Sequence, residues 1–359
     1  MSTASPLAIY YPWQQHDWAI LQQQLSHNKL PHALLISGQK GIGKWHFAMA
    51  AAHLLLCLSP QAGLACGDCR SCQLNSVQSH PDMQIIAPEE PGKLIKIDQI
   101  RLLSEYIHKT AQQGGRKVVL MGPVESLNIN AANALLKSLE EPAGDTVLLL
   151  VTHVVSGVMA TIRSRCQLLS MSSPPREQAL QWLQELHLGD GLEQLLELAA
   201  GAPLVAKDMA EGDKLHQLAL LVDGLANVHT GQLPLEIAKQ WLELELPQTI
   251  EWWLQIVHNG LHRQFVIPDK LATIDNSSAQ KVSADSSGIA DGESKSKSAD
   301  VSLRLANVYC LSAAMNPKWL FRFSDKLITL KQQLLRGANP NKQLLLEELL
   351  LDWQVLCRS

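Results

Sequence analysis

The chain has 359 residues, 46% of them hydrophobic and 18% charged, with a net charge of −4. That length suits two or three domains with real cores, and the mild acidity argues against a free-standing nucleic-acid binder, which would present a basic surface. No run approaches the ~18 uninterrupted apolar residues of a membrane span, residues 1–6 lack the charged and apolar regions of a signal peptide, and seven cysteines, four of them tightly grouped, do not suggest a secreted disulfide framework. A cytoplasmic protein is predicted.

Strands and helices alternate through the first half. Residues 32–37 read as a short buried strand entering a Gly-rich loop, and 44–57 as an Ala- and Leu-rich helix. A second strand is expected at 83–87, then a helix at 97–112 on the spacing of Ile97, Ile100, Leu103 and Ile107. A third strand follows at 116–121, a helix at 130–141 stopped by Pro142, and an almost wholly apolar strand at 147–152. Such apolar strands belong in a parallel sheet covered on both faces, and the alternation implies an α/β domain over residues 1–172. Residues 173–211 read as a small helical domain, and 212–359 as all-α. There Leu320, Phe323, Leu327, Leu330 and Leu334 form one apolar stripe between Pro317 and Gly337, and a Leu-rich helix covers 342–356. Between them, residues 273–302 are rich in Ser, Asp, Ala, Lys and Gly and are predicted to be a disordered insertion.

The segment Gly38-Gln39-Lys40-Gly41-Ile42-Gly43-Lys44-Trp45 fits the phosphate-binding loop G-x-x-x-x-G-K-[ST] at every position but the last. Backbone N–H groups at Gly38, Gly41 and Gly43 would wrap phosphates, and Lys44 would reach the terminal ones. Trp45 has no hydroxyl to hold Mg²⁺. The loop therefore has the scaffold of an ATPase without the means to hydrolyse ATP, and weak ATP binding stays open. Cys57, Cys66, Cys69 and Cys72 stand as C-x8-C-x2-C-x2-C. Four thiolates on one short loop suit tetrahedral Zn²⁺. An iron–sulfur site would want a C-x3-C-P continuation, which is missing after Cys72. Four protein ligands leave no open position, so the zinc would be structural. Cys166, Cys310 and Cys357 read as core residues, as do most of the nine tryptophans.

These two motifs, then His80-Pro81-Asp82, then residues 133–142 (NALLKSLEEP), then Ser164-Arg165-Cys166, form an ordered series that resembles bacterial clamp-loader subunits of the AAA+ class. The resemblance implies a P-loop AAA+ module at 1–172 with an inserted zinc loop at 57–72, a helical lid at 173–211 and an all-α collar at 212–359. It also implies a place in a DNA-directed DNA polymerase holoenzyme. The expected partners are the ATP-hydrolysing gamma/tau subunits and the delta subunit in a hetero-oligomeric ring, with the sliding clamp and primed DNA reached through the complex. No membrane is involved. An active subunit would carry Asp-Glu after the strand at 116–121. Here Gly122-Pro123-Val124-Glu125 follows, and Glu125 is expected to fall outside the site. A lid arginine is missing at Gly201-Ala202-Pro203-Leu204. The resemblance is thus to a non-hydrolysing subunit. In it Arg165 would be an arginine finger acting in trans on a neighbour's ATP; the tripeptide alone reads as a surface ion pair. Glu140 and Glu141 read as a solvated helix end. Two rivals remain: an active P-loop ATPase that tolerates Trp45, and a stand-alone zinc-dependent DNA-binding protein.

Overall fold

The computed structural model describes residues 7–266 and 293–358, apart from 91, 114, 143, 212 and 336–337. The chain divides into two packing units, Met1–Gln178 and Ala179–Ser359.

The first unit is built on β1 (Ala33–Ser37), β2 (Met83–Ile86), β3 (Lys117–Met121), β4 (Thr146–Thr152) and β5 (Gln167–Ser170), in the spatial order β2-β3-β4-β1-β5. All pairings are parallel, with Leu35 opposite Leu150 and Leu168, and Val119 opposite Leu148 and Gln84. Strands β1, β3 and β4 are buried at every residue, which is why they read as unbroken apolar runs. On one face Ala33, Leu35, Val119, Met121, Leu148 and Leu150 pack against Ile100, Leu103 and Ile107 of α4 (Ile97–His108) and Leu135 and Leu139 of α5 (Ile129–Glu140). Alternate strand residues point to the other face. There α2 (Lys44–Leu56) lies across β1, β3 and β4, and its buried Ala48, Ala51 and Ala52 permit close approach. The sequence pattern did not reveal α1 (Gln15–Ser26) or α3 (Arg70–Ser76), the latter inside the cysteine loop.

Helix α4 ends at His108, four residues before the expected stop. The Asp82 carboxylate takes the Gln112 and Gln113 N–H groups at 2.7 and 2.8 Å, while the Lys117 ammonium donates to the Tyr106, Ile107 and Lys109 carbonyls. Those contacts satisfy the helix end and turn the chain out of the helix. A four-residue helix, α6 (Ala160–Arg163), precedes β5. Next, α7 (Arg176–Glu185) runs across the division between the units.

The second unit holds α8 (Leu192–Leu198), α9 (Pro203–Ala210), α10 (Asp213–His229), α11 (Pro234–Gln240), α12 (Leu246–Val266), α13 (Glu293–Ala314), α14 (Pro317–Leu335) and α15 (Lys342–Arg358). Its centre is aromatic. The Trp253 ring lies 5.4 Å from Trp241, 5.3 Å from Phe323 and 5.8 Å from Trp353, mostly edge to face. Helices α8 and α9 pack with α10, α12 and α13. Two sequence expectations need correction. Residues 273–292 of the expected insertion lie outside the described residues, but 293–302 are the first turns of α13. Its sequence holds one large apolar residue, Val301, which is buried, so it carries no apolar stripe to distinguish it from a linker. Cys310 is exposed, not a core residue. Among the described residues, no helix is long and apolar enough to cross a membrane.

Candidate functional site

The loop of residues 38–44 leaves the carboxyl end of β1 and enters α2, the place where open parallel sheets bind ligands. Gly43 has a φ of +87°, and a Cβ there would come within 2.5 Å of the Tyr11 ring, so this position takes only glycine. The segment before α1 braces the loop: Trp13 Nε1 and Gln14 Nε2 each donate to the Ile42 carbonyl at 2.9 Å. Tyr11 stacks on Trp13 at 4.8 Å and lies 4.7 Å from His46. Lys44 is only 2% exposed, and its ammonium donates to the Gln39 carbonyl of its own loop. Burial pulls its pKa down to about 8, with the charge of Glu125 partly opposing the shift.

Glu125, expected outside the site, is close enough for its charge to act on Lys44, though its contacts are elsewhere. A short turn at Val124–Ser126 returns it toward the end of β4, where it accepts from Thr152 Oγ1 at 2.7 Å and from the His153 N–H at 2.8 Å. Both oxygens are thus engaged by protein donors. His153 is held neutral by burial first and by Lys44 second. No acid pair follows β3, where the chain runs Met121-Gly122-Pro123.

At the other end of α2 the cysteine cluster forms. Cys57 is the residue just past the helix, and Cys69 caps α3, its sulfur accepting from the Cys72 N–H. Gly67, with a φ of +84°, makes the turn between Cys66 and Cys69. All four sulfurs lie within 4.8 Å of one another, and the Cys57–Cys69 and Cys66–Cys72 pairs are 3.9 Å apart. A tetrahedral metal with ~2.3 Å bonds to sulfur needs ligand separations of roughly 3.8 Å. Backbone N–H groups of Cys66 and Cys69 point at the Cys57 and Cys66 sulfurs. The Ser59 hydroxyl and the Cys69 and Asp68 N–H groups draw the Cys66 thiol down to about 6. The donor set therefore fits a metal ion that binds thiolates.

His80 is no ligand. Ser71 Oγ donates to the Leu56 carbonyl at 2.6 Å, so His80 Nε2 donates to Ser71 Oγ at 2.7 Å while Nδ1 accepts from the Asp82 N–H at 3.1 Å. This neutral histidine ties α3 to the residues entering β2, and it accounts for His80-Pro81-Asp82 as a structural element.

Arg165 follows α6 and precedes β5. Its Nη2 lies 2.5 Å from Glu140 Oε1, and its Nη1 donates to the Thr161 carbonyl at 2.9 Å. Both side chains are partly exposed, at 35% and 49%. Glu140 is thus a paired group, not a merely solvated helix end. The pairing joins residues 25 apart in sequence, and no local pattern announces it.

A family model described as DNA polymerase III, delta subunit, matches residues 13–175, and one described as DNA polymerase III, delta subunit, C terminal, matches residues 295–355. A DNA polymerase III subunit delta' of Pseudomonas aeruginosa is 36% identical over 355 residues, covering 98% of this chain and 99% of that protein. The chain belongs to the DNA polymerase III delta' family. The delta' subunit of Escherichia coli is 31% identical, covering 95% of this chain and 94% of that one. A solved gamma subunit-related protein of Thermotoga maritima covers 96% of the chain at 19% identity, with a TM-score of 0.43. Delta' family membership agrees with the α/β domain, its inserted cysteine loop and the helical second unit.

Proposed function

We propose that this chain is a non-hydrolysing delta' subunit of a DNA polymerase III clamp loader. It supports ATP-driven loading of the sliding clamp onto primed DNA during chromosomal replication, in the cytoplasm. It joins gamma/tau and delta subunits in a ring, with residues 173–211 as a lid and 212–359 as a collar. Arg165 extends to the ATP of a neighbouring subunit, where a planar, permanently charged group stabilises the transferred phosphoryl. Cys57, Cys66, Cys69 and Cys72 hold a structural Zn²⁺.

The observation that carries the non-hydrolysing reading is Lys44. It is buried and bonded to its own loop, the next residue is Trp45, and the nearby carboxylate of Glu125 is already engaged by Thr152 and His153. Gly38, Gly41, Gly43 and Lys44 remain as a phosphate cradle, so ATP binding without turnover is the most this loop supports. The rival, an active ATPase, has the charge of Glu125 acting on Lys44 in its favour and lacks the hydroxyl and lid arginine.

Reconstitution tests the role. The chain mixed with gamma/tau and delta subunits should co-elute with them, and clamp loading on primed DNA should fall when it is left out. Failure to enter the complex, together with tight and salt-sensitive DNA binding by the chain alone, would support a stand-alone DNA-binding protein.

A further inference from the structure

We infer that Glu140 is the positioning residue for Arg165, holding the guanidinium in the orientation it presents to a neighbouring subunit. The inference rests on the proposed finger role of Arg165. Three contacts fix the group: Nη2 to Glu140 Oε1 at 2.5 Å, and Nη1 to the Thr161 carbonyl at 2.9 Å and to Ser164 Oγ at 3.4 Å. A guanidinium has five N–H donors, so two remain for phosphoryl oxygens.

The carboxylate stands on a rigid base. Helix α5 buries Leu135 and Leu139 in the sheet core, its start is capped by Asn128, and the Leu139 carbonyl bonds His32 Nε2 at 3.1 Å. Cys166, next to Arg165, packs on the same core. The guanidinium is therefore held between two anchored points, while its half-exposed ion pair contributes little to stability. What such a contact does contribute is orientation of a long, rotamer-rich side chain. Without Glu140, Arg165 keeps its charge and loses its aim.

The test is the DNA- and clamp-stimulated ATPase of the reconstituted complex, with incorporation of each variant checked to be equal. The readout is the Arg165-dependent rate, the difference between wild type and Arg165→Ala. Glu140→Ala should reduce that component roughly ten-fold through kcat, less than the ~10²-fold that a 1 Å misplacement of a reacting group can cost, because the Thr161 contact remains. Glu140→Gln, which keeps an acceptor oxygen, should restore most of it. In the Arg165→Ala background Glu140→Ala should change nothing. An Arg165-dependent rate unaltered by Glu140→Ala overturns the positioning role and leaves the finger standing. A rate raised by Glu140→Ala makes the carboxylate a brake and also overturns it. An equal loss in both backgrounds marks a purely structural effect. If Arg165→Ala itself changes nothing, the finger reading fails and the positioning role falls with it.

Discussion

Helix α2 joins two motifs of opposite fate. At its carboxyl end Cys57 completes a cluster whose four sulfurs stand at metal-ligand separations. At its amino end the loop of residues 38–44 keeps its glycines and lysine, and the lysine turns inward to its own backbone. A structural metal site demands only that its ligands persist, since the metal acts through folding. A hydrolytic site demands a hydroxyl, carboxylates and a lid arginine together. In a subunit relieved of turnover those can be lost while the loop still serves as the join between β1 and α2. On the proposed reading, the complete cysteine set and the retained glycines and lysine are the parts the fold still uses.

The largest expected effect lies outside both motifs. If the chain contributes to ATP hydrolysis only in trans, Arg165→Ala should leave it folded and incorporated yet lower turnover at the neighbouring site by about 10³–10⁵-fold. The total loss is smaller, because other sites of the ring keep their own arginines. Unchanged turnover and clamp loading at equal incorporation would return Arg165 to a surface ion pair.

The cluster comes next. Elemental analysis should find about one zinc per chain, as a four-thiolate site implies. Cys69→Ser should lower that content and destabilise the first unit by several kcal/mol, because metal binding is coupled to folding. A metal-free wild type with undiminished stability would erase the contrast between the two ends of α2.

A smaller effect follows from Lys44. Folded, it releases its proton near 8; unfolded, near 10.5. Between those values the unfolded state binds more protons, so stability should rise with pH across that window, by on the order of 3 kcal/mol at most. Below pH 8 the full cost of burying the charge is present. Lys44→Met should remove this rise, read as the difference between the two proteins in urea unfolding from pH 7.5 to 10.5. The same slope in both would mean that Lys44 is solvated.

The sheet was legible because β1, β3 and β4 are buried on both faces and carry unbroken apolar runs. The cysteine spacing and the Trp45 substitution were equally plain, being local. Other features depended on partners distant in sequence. Helix α3 is the exception: its cap, Cys69, is its immediate neighbour, and its seven residues are too few to show a helical period. The stop of α4 at His108 depends on Asp82 and Lys117. Glu125 comes within reach of the Lys44 charge only because Thr152 and His153 bind it there, 27 and 28 residues on. The first turns of α13 looked like linker because residues 293–302 hold one large apolar residue, Val301, too few to set a helical stripe.

The central claim is that the loop at the start of α2 does not hydrolyse ATP, and the isolated chain tests it most directly. Wild type and Trp45→Thr should both show Mg²⁺-dependent ATP turnover no higher than background. The restored hydroxyl is not enough, since Lys44 is bonded to Gln39 and no acid pair follows β3. Turnover above background in the wild type, abolished by Lys44→Met, would contradict the claim and make this chain an ATPase in its own right.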